Sequence, residues 1–193
     1  MLGEKERAAI DRLWKRKLEQ DAQKLAQSER HRNLEPVSAE FICALAAGVG
    51  AQRLVEIGGS SGISTIALAA AAKDVGGKLV SIEIEADRQA ESRETLSALG
   101  LEQAVDYRLG DAASLLPQLA EVDFAFIDCE KEDYIRFFDM LQIAHGGIVV
   151  ADNILSHDLE DYVAHVRQRP GAESITLNIG RGLEVTRFPE AAE

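Results

Sequence analysis

Two short segments carry the side chains best suited to chemistry. Phe126-Ile127-Asp128-Cys129-Glu130-Lys131 and Val149-Val150-Ala151-Asp152-Asn153 each run from an apolar stretch into a group of polar donors. If the apolar stretches are neighbouring parallel strands, their carboxyl ends lie side by side, at the edge where open α/β sheets bind ligands. Asp128, Asp152 and Asn153 would then offer three oxygen donors to one point, with room left for water and substrate. That donor set suits Mg2+, with Ca2+ or Mn2+ as alternatives. In the competing reading Asp152 and Asn153 only cap a turn, and Asp128 holds the amine of an organic ligand.

A second signal lies upstream. Val55-Glu56-Ile57-Gly58-Gly59-Ser60-Ser61-Gly62-Ile63-Ser64-Thr65 passes from a strand-like run into a helix-like one. Glycines at such a turn let the backbone approach a ligand closely and adopt positive φ. A helix opening at Gly62 offers free N–H groups to an anion. A dinucleotide fingerprint would need G-x-G-x-x-G, and Ser60 breaks that register, which disfavours a nicotinamide dehydrogenase. The spacing is Glu56-x-Gly58-x-x-x-Gly62 instead. Glu83 ends the next strand-like run, 21 residues after Gly62, where its two oxygens can take both hydroxyls of a ribose. A glycine turn alone also serves tight packing, and a lone strand-end Glu is often just solvated. Together they point to a nucleoside. Asp111, in Gly110-Asp111-Ala112 after the third run, is a natural helix N-cap.

These residues need a scaffold, and the surrounding pattern supplies one. Residues 53–57, 78–84, 104–109, 122–128 and 147–151 read as strands, rich in Val, Ile and Phe. Helical stretches at about 63–73, 87–99, 112–120 and 132–143 separate them. Such alternation implies a parallel sheet covered on both faces. A helix over 158–168 and strands over 174–179 and 182–188 follow, with Gly180-Arg181 as a two-residue hairpin signal. Residues 3–28 predict an amphipathic helix, with Ile10, Leu13, Trp14, Leu18, Leu25 and Ala26 at helical spacing. That stripe should pack against the domain body or against a second copy in a homodimer; Trp14 as a substrate wall is the lesser alternative. Pro36 fits the first turn of a helix over about 37–48. The expectation is one domain over 1–193 with a helical extension at about 1–35.

Charge and composition narrow the partners. The net charge is −12, and residues 36–193 hold 26 Asp and Glu against twelve Lys and Arg. A body this acidic repels phosphate backbones, so no nucleic-acid substrate is expected. No apolar run reaches the roughly 18 residues that span a bilayer, so no membrane partner is expected. The charged opening Glu4-Lys5-Glu6-Arg7 lacks a signal-peptide core and points to the cytoplasm. Cys43 and Cys129 are too few for a disulfide framework, and Cys43 reads as a thiol in or near the core.

Taken in order, the glycine turn, S-I-E-I, G-D-A, F-I-D-x-x-K-x-x-Y and G-G-I-V-V-A-D-N resemble a known family. It is the cation-dependent O-methyltransferases, which include the catechol and caffeoyl-coenzyme A enzymes and use S-adenosylmethionine (SAM). The resemblance covers roughly residues 35–188. It implies a Rossmann-like SAM methyltransferase fold, α/β, with a mostly parallel seven-stranded sheet and a C-terminal antiparallel hairpin. It assigns the metal to Asp128, Asp152 and Asn153, and the role of general base to Lys131. Glu56, Gly58, Gly62, Ser64, Glu83 and Ala112 become SAM contacts, with Asp111 at the adenine edge and Asp128 near the SAM amine. The implied reaction moves a methyl group to a hydroxyl of a small molecule, a metal-chelated vicinal diol or a phenol. Phenols are mostly protonated at neutral pH, so a cation that lowers the hydroxyl pKa and a lysine that takes the proton make chemical sense. A solvent-facing role is the alternative for Lys131.

The departures from the family pattern concern the acceptor. Glu130 stands where catechol-type enzymes place a bulky aromatic, and a carboxylate there should disfavour anionic acceptors and favour polar or cationic ones. Ile63 replaces a common tyrosine, the loop after Asn153 lacks its usual glycine, and a long substrate-gripping insertion is missing. His157, four residues after Asn153, is either a surface residue or a ligand or second base facing the pocket. Two rivals stand beside the first reading: a metal-independent SAM methyltransferase, and a silent SAM-binding module whose N-terminal helix joins a partner. The joint presence of Asp128, Lys131, Asp152 and Asn153 argues against silence.

Overall fold

The computed structural model describes residues 2–26 and 31–189. Five apolar runs form parallel strands: β1 (Arg53–Ile57), β2 (Lys78–Glu83), β3 (Val105–Leu109), β4 (Val122–Ile127) and β5 (Ile143–Ala151). The antiparallel β6 (Glu173–Leu177) and β7 (Leu183–Arg187) complete a seven-stranded sheet in the order β3-β2-β1-β4-β5-β7-β6. The chain winds outward from β1 to β2 and β3 on one side, then returns to β4 and β5 on the other. That reversal opens a crevice above the carboxyl ends of β1 and β4.

Both faces are covered, as a two-sided apolar strand requires. On one face lie α1 (Glu4–Ala22), α2 (Pro36–Gly48) and α3 (Ile63–Val75), forming a common core with Leu54, Phe124 and Phe126. On the other, α5 (Ala112–Leu115), α6 (Tyr134–Met140) and α7 (Glu160–Arg167) pack against Val55, Ala125 and Ile127. The remaining helix, α4 (Ala86–Ala98), follows β2. Successive residues of β1 and β4 thus feed opposite cores, the expected consequence of the strand period.

Several boundaries differ from the sequence expectation, each for a local reason. Helix α1 ends at Ala22 rather than near 28, where Lys24 takes a left-handed backbone (φ +53°); residues 27–30 lie outside the described residues. Ala9, Ile10 and Leu13 are buried against α2 and α3, but Leu18 is 49% exposed, so the stripe is narrower than predicted. The helix expected over 112–120 stops after one turn and continues as a 3₁₀ turn, Leu116–Gln118, because Pro117 has no N–H for the α ladder. A 3₁₀ turn, Lys131–Asp133, likewise precedes α6. Strand β5 starts earlier than expected, with a register shift against β4 between Val122 and Phe124. The terminal hairpin is wider than a two-residue turn. Its loop is pulled aside by Ile154 and Leu155, whose amides donate to the carbonyls of Gly182 and Arg181 at 3.0 and 2.9 Å. Among the described residues, no helix is long and apolar enough to cross a membrane.

Candidate active site

The β4 and β5 ends meet as the motifs suggest. The Asp128 amide donates to the Ile57 carbonyl and the Asp152 amide to that of Ile127, both at 3.0 Å, so the three strand ends stay in step for one residue beyond the sheet. Asn153 then turns the chain with a left-handed backbone (φ +66°), which asparagine tolerates better than most residues. Its Nδ2 donates to Asp128 Oδ1 at 2.8 Å, so its amide oxygen is the atom that could serve as a ligand. Asp152 is buried and its Oδ1 has no hydrogen-bond partner among the described residues. From behind, the Tyr134 hydroxyl donates to the Asp152 carbonyl at 3.2 Å. Burial, and then the neighbouring Asp152, hold the Asp128 carboxyl well above the ordinary range. Burial pushes Asp152 up to about 6.

Two interacting carboxylates, the buried Asp152 with an orphaned oxygen and the half-buried Asp128, leave a local deficit of positive charge. Among the described residues no cluster of three His, Cys, Asp or Glu side chains forms; the set is two carboxylates and a carboxamide. Such hard oxygen donors fit Mg2+ or Ca2+.

A cleft of about 550 Å³ opens over these residues. Lys131, exposed as the first residue of its 3₁₀ turn, lines it and has no ion-pair partner among the described residues. His157 also lines it, exposed, with Nδ1 2.9 Å from Ser156 Oγ. The sequence reading missed Lys17, Arg32, Asn33, Glu35 and Arg181 in this wall. They arrive from α1, from the segment before α2 and from the hairpin loop, and no local spacing signals that they converge. Both oxygens of Glu130 are engaged by the Arg32 guanidinium, a partner that no local spacing signals. Burial pulls the Arg32 pKa down, but the hydrogen bond and charge of Glu130 outweigh it and hold it above its ordinary value.

A second cleft of about 160 Å³ adjoins the first and shares Arg32, Asp128, Cys129 and Glu130 with it. Gly58, Ser60, Glu83, Asp111 and Ala112 line it. Gly58 has φ +94°, and a Cβ there would collide with the Asp128 carbonyl, so only glycine lets β1 and β4 end this close together. Glu83 Oε2 accepts from the Ser60 amide at 2.7 Å, and its Oε1 from those of Ile84 and Glu85 at 2.8 and 2.9 Å. Three backbone donors thus fix the carboxylate at the mouth of the glycine turn. Asp111 caps α5, accepting from the Ala113 amide at 2.9 Å. Glu56, Gly62 and Ser64 lie beneath the turn and line neither cleft. Glu56 is fully buried and accepts from Thr65 Oγ1 and Ser81 Oγ at 2.7 Å, and its burial raises its pKa. The buried Ser60 hydroxyl has no hydrogen-bond partner among the described residues.

Comparison with known proteins agrees with this geometry. The O-methyltransferase family matches over residues 6–179. The chain belongs to that family. It is 33% identical over 120 residues to a catechol O-methyltransferase of Mycobacterium tuberculosis, covering 60% of this chain and 54% of that one. Over 137 residues it is 31% identical to caffeoyl-CoA O-methyltransferase 2 of Eucalyptus globulus, covering 64% and 54%. The match spans about half the length of these curated relatives. The fold of an O-methyltransferase from Bacillus cereus, solved with S-adenosylhomocysteine (SAH), superposes with a TM-score of 0.79 at 21% identity, over 94% of this chain and 90% of that one. An O-methyltransferase of Streptomyces achromogenes involved in tomaymycin synthesis, solved with SAM, gives 0.77 at 22% identity, over 98% and 91%. The seven-stranded Rossmann-like methyltransferase fold is therefore shared.

Proposed function

We propose that this O-methyltransferase family member transfers the methyl group of SAM to a hydroxyl of a small molecule, a vicinal diol or phenol held by a divalent cation. The junction of the two clefts at Asp128 carries the reading: a smaller cleft with a fixed carboxylate opens directly onto a polar cleft holding Asp152, Asn153 and Lys131. In the smaller cleft Glu83 would take the ribose hydroxyls, with Asp111 and Ala112 at the adenine. The family relatives solved with SAM or SAH support that choice of cofactor.

Asp128, Asp152 and the Asn153 amide oxygen would hold the cation, which when bound lowers the pKa of the acceptor hydroxyl and fixes its direction. Lys131 would take the hydroxyl proton as general base. SAM, when bound, would supply the methyl group from its sulfonium, leaving a neutral thioether, and the acceptor oxygen prepared by Lys131 would displace it. Adjoining clefts would bring donor and acceptor together, and holding them in line itself removes much of the barrier.

The test is a SAM-dependent assay over catechols, phenols and cyclic diols, with Mg2+ and with a chelator, beside calorimetry of SAH binding. Turnover should require Mg2+, while SAH should bind the chelated protein. Turnover undiminished by the chelator would refute the metal's role.

A further inference from the structure

The wall of the larger cleft bears on which diol it holds, an inference that rests on the O-methyltransferase reading. Three ion pairs stand in it. Lys17 Nζ lies 2.6 Å from Asp21 Oδ2, Arg181 Nε lies 3.5 Å from Glu35 Oε1, and Arg32 pairs with Glu130. Lys17 is only 5% exposed, and its ammonium sits 4.9 Å from the Trp14 ring centroid. Asn33 adds a donor: its Oδ1 accepts from Ser61 Oγ at 3.0 Å, while its buried Nδ2 has no partner.

Apolar surface is scarce by comparison. Leu159 and Tyr134 line the cleft but are 3% and 1% exposed, and the edge-on Tyr162 ring stands 5.4 Å from that of Tyr134. Trp14 is not in the wall. A flat aromatic ring seated here would strip water from three ion pairs and return no hydrogen bonds, an uncompensated loss. A ring bearing hydroxyls around its perimeter returns them, since each hydroxyl can donate to a carboxylate and accept from a cation or from the Asn33 amide. Every wall cation in these pairs has its own carboxylate, so the pairs ask for no net charge on the ligand.

We propose that the methyl acceptor is a net-neutral, polyhydroxylated aliphatic ring carrying a vicinal diol, of sugar or cyclitol type, rather than a planar catechol. Arg32 and Glu130 set this preference, because their pair stands where the two clefts join and must border the ring that presents the reacting hydroxyl.

The test compares kcat/KM, with SAM and Mg2+, for methyl α-rhamnopyranoside, methyl α-mannopyranoside and myo-inositol against catechol and caffeate. At least one polyol should exceed catechol by about tenfold or more, the scale on which polar mismatches discriminate. The double variant Arg32→Met, Glu130→Leu should lower that ratio by about tenfold or more, with its melting temperature as the control for folding. If wild type prefers catechol or caffeate to every polyol, the inference fails while the O-methyltransferase reading stands. An unchanged ratio in the folded double variant would remove the role of the pair. If neither class is methylated, both the reading and the inference fall.

Discussion

Replacing Asp152 by asparagine should stabilise the metal-free protein at neutral pH. Asp152 is buried, one of its oxygens has no partner, and burial moves its pKa from 3.8 to about 6. A carboxyl whose pKa is raised by folding is most favourable where it is protonated in both states. Its contribution is lost as pH climbs from the unfolded value to the folded one. Above that window the folded chain buries a charge that the unfolded chain leaves in water. A shift of about two units corresponds to about 3 kcal/mol, at 1.36 kcal/mol per unit. Asparagine keeps the shape and removes the charge, and in a chain of this length each kcal/mol moves Tm by roughly 2–4 °C. The variant should therefore melt up to roughly 6–12 °C above wild type in chelator near pH 7.5, and the gap should shrink to about a third of that near pH 4.5, closing only as pH falls below about 3.8. Scanning calorimetry at both pH values measures it. Mg2+ should raise the Tm of wild type, as a ligand selective for the folded state must, and should do little for the variant. A variant that melts below wild type in chelator at pH 7.5, or a gap that ignores pH, would refute the reasoning.

Lys131→Ala should slow methyl transfer by roughly 10²- to 10⁴-fold, as for a lost general base, with SAH affinity unchanged by calorimetry; an unaltered single-turnover rate would dismiss the base. Gly58→Ala, at φ +94° and against the Asp128 carbonyl, should cost at least about 2 kcal/mol in urea unfolding and weaken SAH binding. Leu13→Ala should cost about 2–5 kcal/mol, the range for buried leucines, because Leu13 is 3% exposed against α2 and α3. A neutral result would mean that α1 does not dock on its own chain.

The elements that were legible in the sequence owe it to short-range physics. Runs of Val, Ile and Phe between glycines and helical stretches located β1 to β4 within a residue or so at each end. The strand ends then brought Asp128, Asp152 and Asn153 together, because neighbouring parallel strands share one carboxyl edge. Asp111 as a cap was legible for the same reason, since its partner amide is two residues away. Helix ends were less so: the pause at Pro117 and the left-handed turn at Lys24 depend on single residues that periodicity averages over.

Local pattern alone determined the sheet class, the glycine turn and the acidic strand ends, since each is encoded in residues close in sequence or set by strand adjacency, while the family entered through the resemblance of the ordered motifs. The charge of the acceptor wall was decided only by tertiary structure. Glu130 and Arg32 are 98 residues apart, and their pairing depends on where the segment before α2 crosses the sheet edge. Lys17 and Arg181 reach the same cleft from opposite ends of the chain, and the wider hairpin loop owes its shape to Ile154 and Leu155. Electrostatic pairing acts through space over a few ångströms and carries no periodicity along the chain, so nothing in the linear sequence signals the partner with which Glu130 forms a neutral pair.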